Sequence, residues 1–218
     1  MPKSFFLSDA LSEYLLAHAP PVDEVQQWLI DETRARVPDQ MGMQISPEQG
    51  AFMGLVIKLI GARRAVEVGT FTGYSSLCIA GALPADGSLL CCDISEEWTA
   101  IAREAWTKAA VHDRVELRVA PAIETLQSLP DDEVIDLAFV DADKTNYQLY
   151  YDELLPRLRA NGLLLIDNSL WNGRVLDASV VDEDTVAIRA FNDRVAADER
   201  VESTILTLGD GLTIIRKR

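Results

Sequence analysis

The sequence is poor in histidine, cysteine and positive charge. Its two histidines, His18 and His112, stand outside any motif and read as surface or helix residues rather than proton carriers. Its three cysteines, Cys78, Cys91 and Cys92, lie inside apolar runs without metal-type spacing. Adjacent Cys91 and Cys92 point to opposite faces of a strand, and all three read as reduced core residues, which argues against a thiolate metal site or a disulfide framework. Lysine and arginine total 20 against 35 acidic residues, a formal charge of −15 that repels nucleic acid and anionic membrane surfaces. No apolar run approaches the ~18 residues of a membrane span, and no charged-then-apolar leader follows Met1, so a cytosolic protein is expected. Internal repeats, low-complexity tracts and Gly/Ser linkers are missing, as are the three-glycine dinucleotide fingerprint and the Lys-Ser or Lys-Thr of a phosphate loop.

What is present is a chain of 218 residues with 48% hydrophobic content, enough for one domain over 1–218. Residues 1–62 read as a helical extension. "SDALSEYLLAHA" opens with Ser8 as a candidate N-cap, and "DEVQQWLIDETRAR" spaces Val25, Trp28, Leu29 and Glu32 along one face. "SPEQGAFMGLVIKLIGA" offers a Ser46 cap, Pro47 at the first turn and Gly61 as a stop. Residues 63–218 then alternate short apolar runs with amphipathic ones. "AVEV", "SLLCCD", "VELRVA", "VIDLAFVD" and "GLLLID" are strand-like, and runs apolar on both faces, such as "GLLLID", suit parallel strands covered by helices, so the fold class is α/β with a doubly wound sheet. "VESTILTL", Gly209-Asp210-Gly211 and "LTIIRK" leave no room for a helical crossover and predict a C-terminal antiparallel hairpin.

Three motifs carry chemistry. "VEVGTFTGYSS" places Gly69 and Gly73 at a strand-to-helix turn, either a tight turn or a ligand-binding loop. Asp93 ends the next strand, 20 positions past Gly73, where an acid can accept both hydrogen bonds of a ribose diol. Glu67, acidic within the first strand, disfavours a pyrophosphate and favours a cationic ligand, chemistry that S-adenosylmethionine matches. In "FVDADKTNY" and "IDNSLWNG", Asp141 and Asp167, 26 residues apart, end two strands. With the amide of Asn168 they form an all-oxygen set suited to magnesium, manganese or calcium; the plainer alternative is that Asp141 and Asp143 cap a helix and Asp167-Asn168 form a turn. Lys144, three residues past Asp141, is placed to take a proton from a phenolic hydroxyl, which is only about 0.1% ionised at pH 7.

These motifs, running co-linearly from "KSFFLSDALSEYLL" through "MQISPEQGAFMGLVIKLIGARRAVEVGTFTGYSS" to "GDGLTII", resemble the cation-dependent class I O-methyltransferases, the catechol and caffeoyl-coenzyme A O-methyltransferase family. The resemblance implies a Rossmann-like seven-stranded sheet ending in an antiparallel hairpin, and a homodimer. It further implies that Glu67, Gly69, Thr70, Ser75, Asp93, Ala122 of "APAIETL" and Asp143 contact S-adenosylmethionine. Asp141, Asp167 and Asn168 would bind the metal, Lys144 would be the base, and Trp171, Asn172 and Lys3 would lie near the acceptor. The acceptor expected is a small phenolic diol, because the segment "LDASVVDEDT" is acidic and would repel an anionic coenzyme A ester. Two other readings are a metabolite-binding protein without turnover and a metal-independent methyltransferase.

Overall fold

A computed structural model describes residues 8–132 and 134–218; Lys3 lies outside the described residues. The first helices are α1 (Asp9–His18), α2 (Glu24–Arg36) and α3 (Pro47–Ile60). Asp23 and Gln26 start α2 with a reciprocal cap: Gln26 N donates to Asp23 Oδ1 at 2.8 Å, and Asp23 N to Gln26 Oε1 at 2.9 Å. Ser46 occupies the cap position of α3 but its hydroxyl makes no cap hydrogen bond, so Pro47 alone sets that start. Gly61 ends α3 at φ 63°, and Ala62 N returns to Ile57 O at 3.0 Å.

Strands β1 (Arg64–Val68), β2 (Ser88–Asp93), β3 (Val115–Val119), β4 (Ile135–Val140) and β5 (Leu158–Ile166) pair in parallel. Helices α4 (Tyr74–Ala82), α5 (Glu96–Lys108), α6 (Ala122–Gln127) and α7 (Tyr147–Arg157) lie between them; α8 (Glu183–Ala197) precedes the hairpin of β6 (Val201–Leu206) and β7 (Leu212–Lys217). The sheet order is β3-β2-β1-β4-β5-β7-β6, with β7 antiparallel to both neighbours. The hairpin turn is longer than its three central residues: pairing stops at Leu206 because Gly209 and Gly211 take φ 56° and 89° and turn the chain away.

The strand alternation divides the core. Cys91, Leu137, Phe139 and Leu165 face a cluster with Leu29, Met53, Ile57, Ile79 and Ile101 of α2 to α5. Val66, Cys92, Ala138, Val140 and Ile166 face Leu126, Tyr151, Leu154 and Phe191 of α6 to α8. Cys91 and Cys92 thus fall on opposite faces, both unpaired. The order reverses at β1, between β2 and β4, so their carboxyl ends open a crevice there. Among the described residues, no helix is long and apolar enough to cross a membrane.

Candidate active site

One wall of the crevice is the turn from β1 to α4. Gly69 adopts φ 89° and lies so close to the Asp141 carbonyl that a side chain would overlap it. Gly73, at φ 93°, abuts Ala102 of α5, where a Cβ would stand 2.5 Å from the alanine methyl. Asp93 organises the turn: its Oδ2 accepts from Thr70 N at 2.9 Å and Phe71 N at 2.7 Å, and its Oδ1 from Ser95 N at 2.8 Å. A carboxylate has roughly four lone-pair sites, so one direction remains for a ligand hydroxyl.

Glu67 is completely buried beneath this turn rather than on its open surface. Burial pushes its carboxyl up to about 7, opposed by the nearby Ser75 and Thr70 hydroxyls and the Cys91 thiol. None of these donors meets its oxygens in full hydrogen-bond geometry, and the Thr70 hydroxyl is likewise buried without a partner. An acid in that setting is sensitive to any cation placed over the loop. Ala122 is buried in the first turn of α6. Asp143 is exposed and accepts from the Tyr150 hydroxyl at 2.6 Å and from the Asn146 side chain; it makes no cap bond to the short helical turn Lys144–Asn146.

The opposite wall is acidic. Asp141 N continues the β1 pairing to Val68 O at 2.8 Å, and Asp167 N pairs with Val140 O at 3.0 Å, which carries both residues to the same sheet end. Lys144 Nζ donates to Asp141 Oδ1 at 2.9 Å, with little of either side chain exposed. The ammonium also stands 5.1 Å from the Tyr147 ring centre and 5.7 Å from that of Trp171. Asp167 accepts from Gln49 Nε2 at 2.9 Å and from Asn168 N at 2.8 Å. Burial, then the Asp141 charge, push its carboxyl up to about 7 against those two donors and Lys144. Lys144 is bonded to Asp141 and acts on Asp167 through its charge alone. Tyr147 is held far above the ordinary phenol range by burial and by Asp141, Asp167 and Asp143, so it stays protonated.

The segment after Asp167 is bent and braced. Asn168, Trp171 and Asn172 take φ 58°, 48° and 51°. The hairpin turn holds it: Ser169 N bonds Gly211 O at 2.8 Å, Leu170 N bonds Asp210 O at 3.0 Å, and Asn172 N bonds Asp210 Oδ1 at 2.5 Å. The turn reading of Asp167-Asn168 is thus correct for the backbone, and it coexists with a carboxylate that feels the charges of Asp141 and Lys144. Trp171 is half-buried with its indole N–H unpartnered, and Asn172 is exposed.

Sequence reasoning missed Gln49, Tyr147 and Asp210. Gln49 was visible as a polar residue on the stripe it shares with Met53 and Ile57, the inward face of α3.

A crevice at the switch point of a doubly wound sheet, with a buried acid pair against a lysine, is the working cleft of an α/β enzyme. Comparison with known proteins gives the particular family. The O-methyltransferase family model matches residues 22–218, and the chain belongs to that family. Caffeoyl-CoA O-methyltransferase 2 of Zea mays is 38% identical over 99% of this chain and 85% of its own. Tricin synthase 1 of Oryza sativa is also 38% identical, over 99% of this chain and 90% of its own. The O-methyltransferase from Bacillus cereus, solved in complex with SAH, superposes with a TM-score of 0.88 at 30% identity, over 96% of this chain and 97% of its own.

Proposed function

We propose that the chain is an S-adenosylmethionine-dependent, divalent-cation-dependent O-methyltransferase that methylates one hydroxyl of a vicinal-diol phenol, such as a catechol or a hydroxycinnamate-like acid. The observation that carries this is the convergence of acids at the ends of β4 and β5: Asp167 is buried within reach of the Asp141 charge, Lys144 pairs with Asp141 at 2.9 Å, and Lys144, Gln49 and Asn168 together oppose the cost of ionising Asp167. Among the described residues no three His, Cys, Asp or Glu side chains cluster, so the proposed donor set is two acids completed by the Asn168 carboxamide. These hard oxygens suit magnesium, with manganese or calcium as alternatives. A bound dication supplies Lewis acidity toward paired phenolic oxygens and neutralises the two carboxylates.

Lys144, its ammonium proton first lost to solvent, would receive the hydroxyl proton at Nζ, and Asp141 at 2.9 Å with the Tyr147 and Trp171 ring faces would stabilise the ammonium that re-forms. Tyr147, kept protonated, is no competitor for that proton. Across the crevice, Gly69, Thr70, Ser75, Ala122 and Asp143 would line the methyl donor's seat. Asp93 has one acceptor direction left for a ribose hydroxyl of that donor, and the buried carboxyl of Glu67, once ionised, would balance the donor's ammonium. S-adenosylmethionine brings an electrophilic methyl on a sulfonium; the Bacillus cereus relative with SAH bound supports that choice.

The acceptor is read as small because the local cations are committed. Arg174 pairs with Asp182 at 2.7 Å, and Arg189 donates to the carbonyls of Val175, Val180, Arg174 and Asp177. Asp177, Glu183 and Asp184 remain to repel phosphates. A second reading, a coenzyme A ester as acceptor, is favoured by the names of relatives such as the Zea mays enzyme. Methyl transfer to catechol, caffeate and a caffeoyl thioester, each with and without magnesium, separates the two and tests the class; transfer to none of them would reject the proposal. A homodimer in the cytosol belongs to the same proposal and is checked by light scattering and cell fractionation.

A further inference from the structure

Gln49 is the residue by which α3 reaches the acidic wall, and it is buried with its amide nitrogen bonded to Asp167. Its Nε2 meets Asp167 Oδ2 at 2.9 Å. Because an ionised carboxylate only accepts, the amide must turn its oxygen the other way. That oxygen lies against Gly209, where an added Cβ would come within 2.5 Å of Oε1. Gly209, at φ 56°, opens the turn whose next residues hold Leu170 and Asn172. Asp167 is therefore fixed through both oxygens, by Asn168 N on one and by an amide wedged between strand end and hairpin on the other.

We propose that Gln49 is a positioning residue for the dication: it fixes the rotation of the Asp167 carboxylate so that its remaining lone pairs face Asp141 and Lys144, with Gly209 as the backstop. This rests on the reading of Asp167 as a metal ligand. Partners that orient a ligating carboxylate typically change metal affinity roughly 10- to 100-fold when removed. The S-adenosylmethionine seat lies on other elements and should not register the change.

Manganese binding, followed by the paramagnetic resonance of the free ion, tests this on the full chain, with S-adenosylmethionine affinity measured in parallel by calorimetry. Gln49→Met keeps the volume and removes the donor; Gly209→Ala keeps the amide and displaces it. Both should weaken manganese binding, by roughly 10- to 100-fold for Gln49→Met and less for Gly209→Ala, with S-adenosylmethionine affinity within about twofold of the original. Asp167→Ala should abolish manganese binding. If the original protein binds manganese through Asp167 and both other variants bind it equally well, the role of Gln49 is overturned while the metal site stands. If the original protein does not bind manganese, or Asp167→Ala binds it unchanged, the metal reading falls and this inference with it.

Discussion

The two walls of the crevice are built on different principles. On the cofactor side, glycine takes two of the three left-handed positions, Gly69 and Gly73, at little cost; the third is Phe71 at φ 52°, whose N–H, with that of Thr70, is tied down by Asp93. On the acceptor side, Asn168, Trp171 and Asn172 adopt the left-handed region with full side chains, at a cost of order 1 kcal/mol each, offset by Asp210, Gly211 and Asn192. The first wall carries one such side-chain-bearing position against three in the second, and is the cheaper scaffold. The second spends stability to hold charged and aromatic groups where a reaction needs them, and it is there that two carboxylates face each other in a buried setting.

If that division is right, damage to the acceptor wall should silence chemistry and spare cofactor affinity. Asp141→Ala should lower methyl transfer by more than about a thousandfold while S-adenosylmethionine affinity stays within a few-fold, read by rate assay and calorimetry. Lys144→Ala should follow with a loss of about 10²- to 10⁴-fold in kcat, little change in KM and loss of the basic dependence of the rate on pH. An unaltered kcat would remove Lys144 from the mechanism. Gly69→Ala breaks the comparison on purpose, because its methyl would push into the Asp141 carbonyl that joins the walls. It should impair both cofactor binding and turnover and cost several kcal/mol in chemical denaturation.

Phe191 sharpens the contrast at a distance. It meets Tyr147 and Tyr151 edge-on, with ring centres 5.7 and 5.8 Å apart, and so supports the turn that carries Lys144. Phe191→Ala should destabilise by about 3–5 kcal/mol and lower kcat more than cofactor affinity. The smallest effect concerns Glu67. Its folded value of about 7 exceeds the ordinary 4.5, so the folded ligand-free protein holds a proton that the unfolded chain releases. Stability is therefore highest below 4.5 and falls as pH rises toward 7, by about 3 kcal/mol at most from this group. Glu67→Gln should flatten that part of the profile, Asp167 supplying the remainder with the same sign. A slope unchanged in the variant would place the titration elsewhere.

The parts legible in the sequence were those with local signatures. Runs apolar on both faces gave the parallel strands, and the short connection around Gly209-Asp210-Gly211 gave the reversed β7. Strand-end acids gave the acidic wall, since consecutive parallel strands must deliver their ends to one edge. What was hidden depends on contacts far apart in the chain. Gln49 lies 118 residues from Asp167, and nothing in its own neighbourhood names the partner. For Glu67 the hidden part was its depth beneath Thr70 and Ser75, which follows from strand register and puts it on the face covered by α3 and α4. The Ser46 hydroxyl makes no cap bond, while Pro47 presets the φ of the first turn.

The central claim is that a hard dication held by Asp141, Asp167 and Asn168 makes an aromatic hydroxyl reactive. Its most direct test is turnover of caffeate by chelator-treated protein, with magnesium added back and cofactor affinity followed throughout. The account predicts that transfer stops on chelation and returns with magnesium while S-adenosylmethionine binding hardly moves. Transfer continuing at full rate in metal-free protein would contradict it.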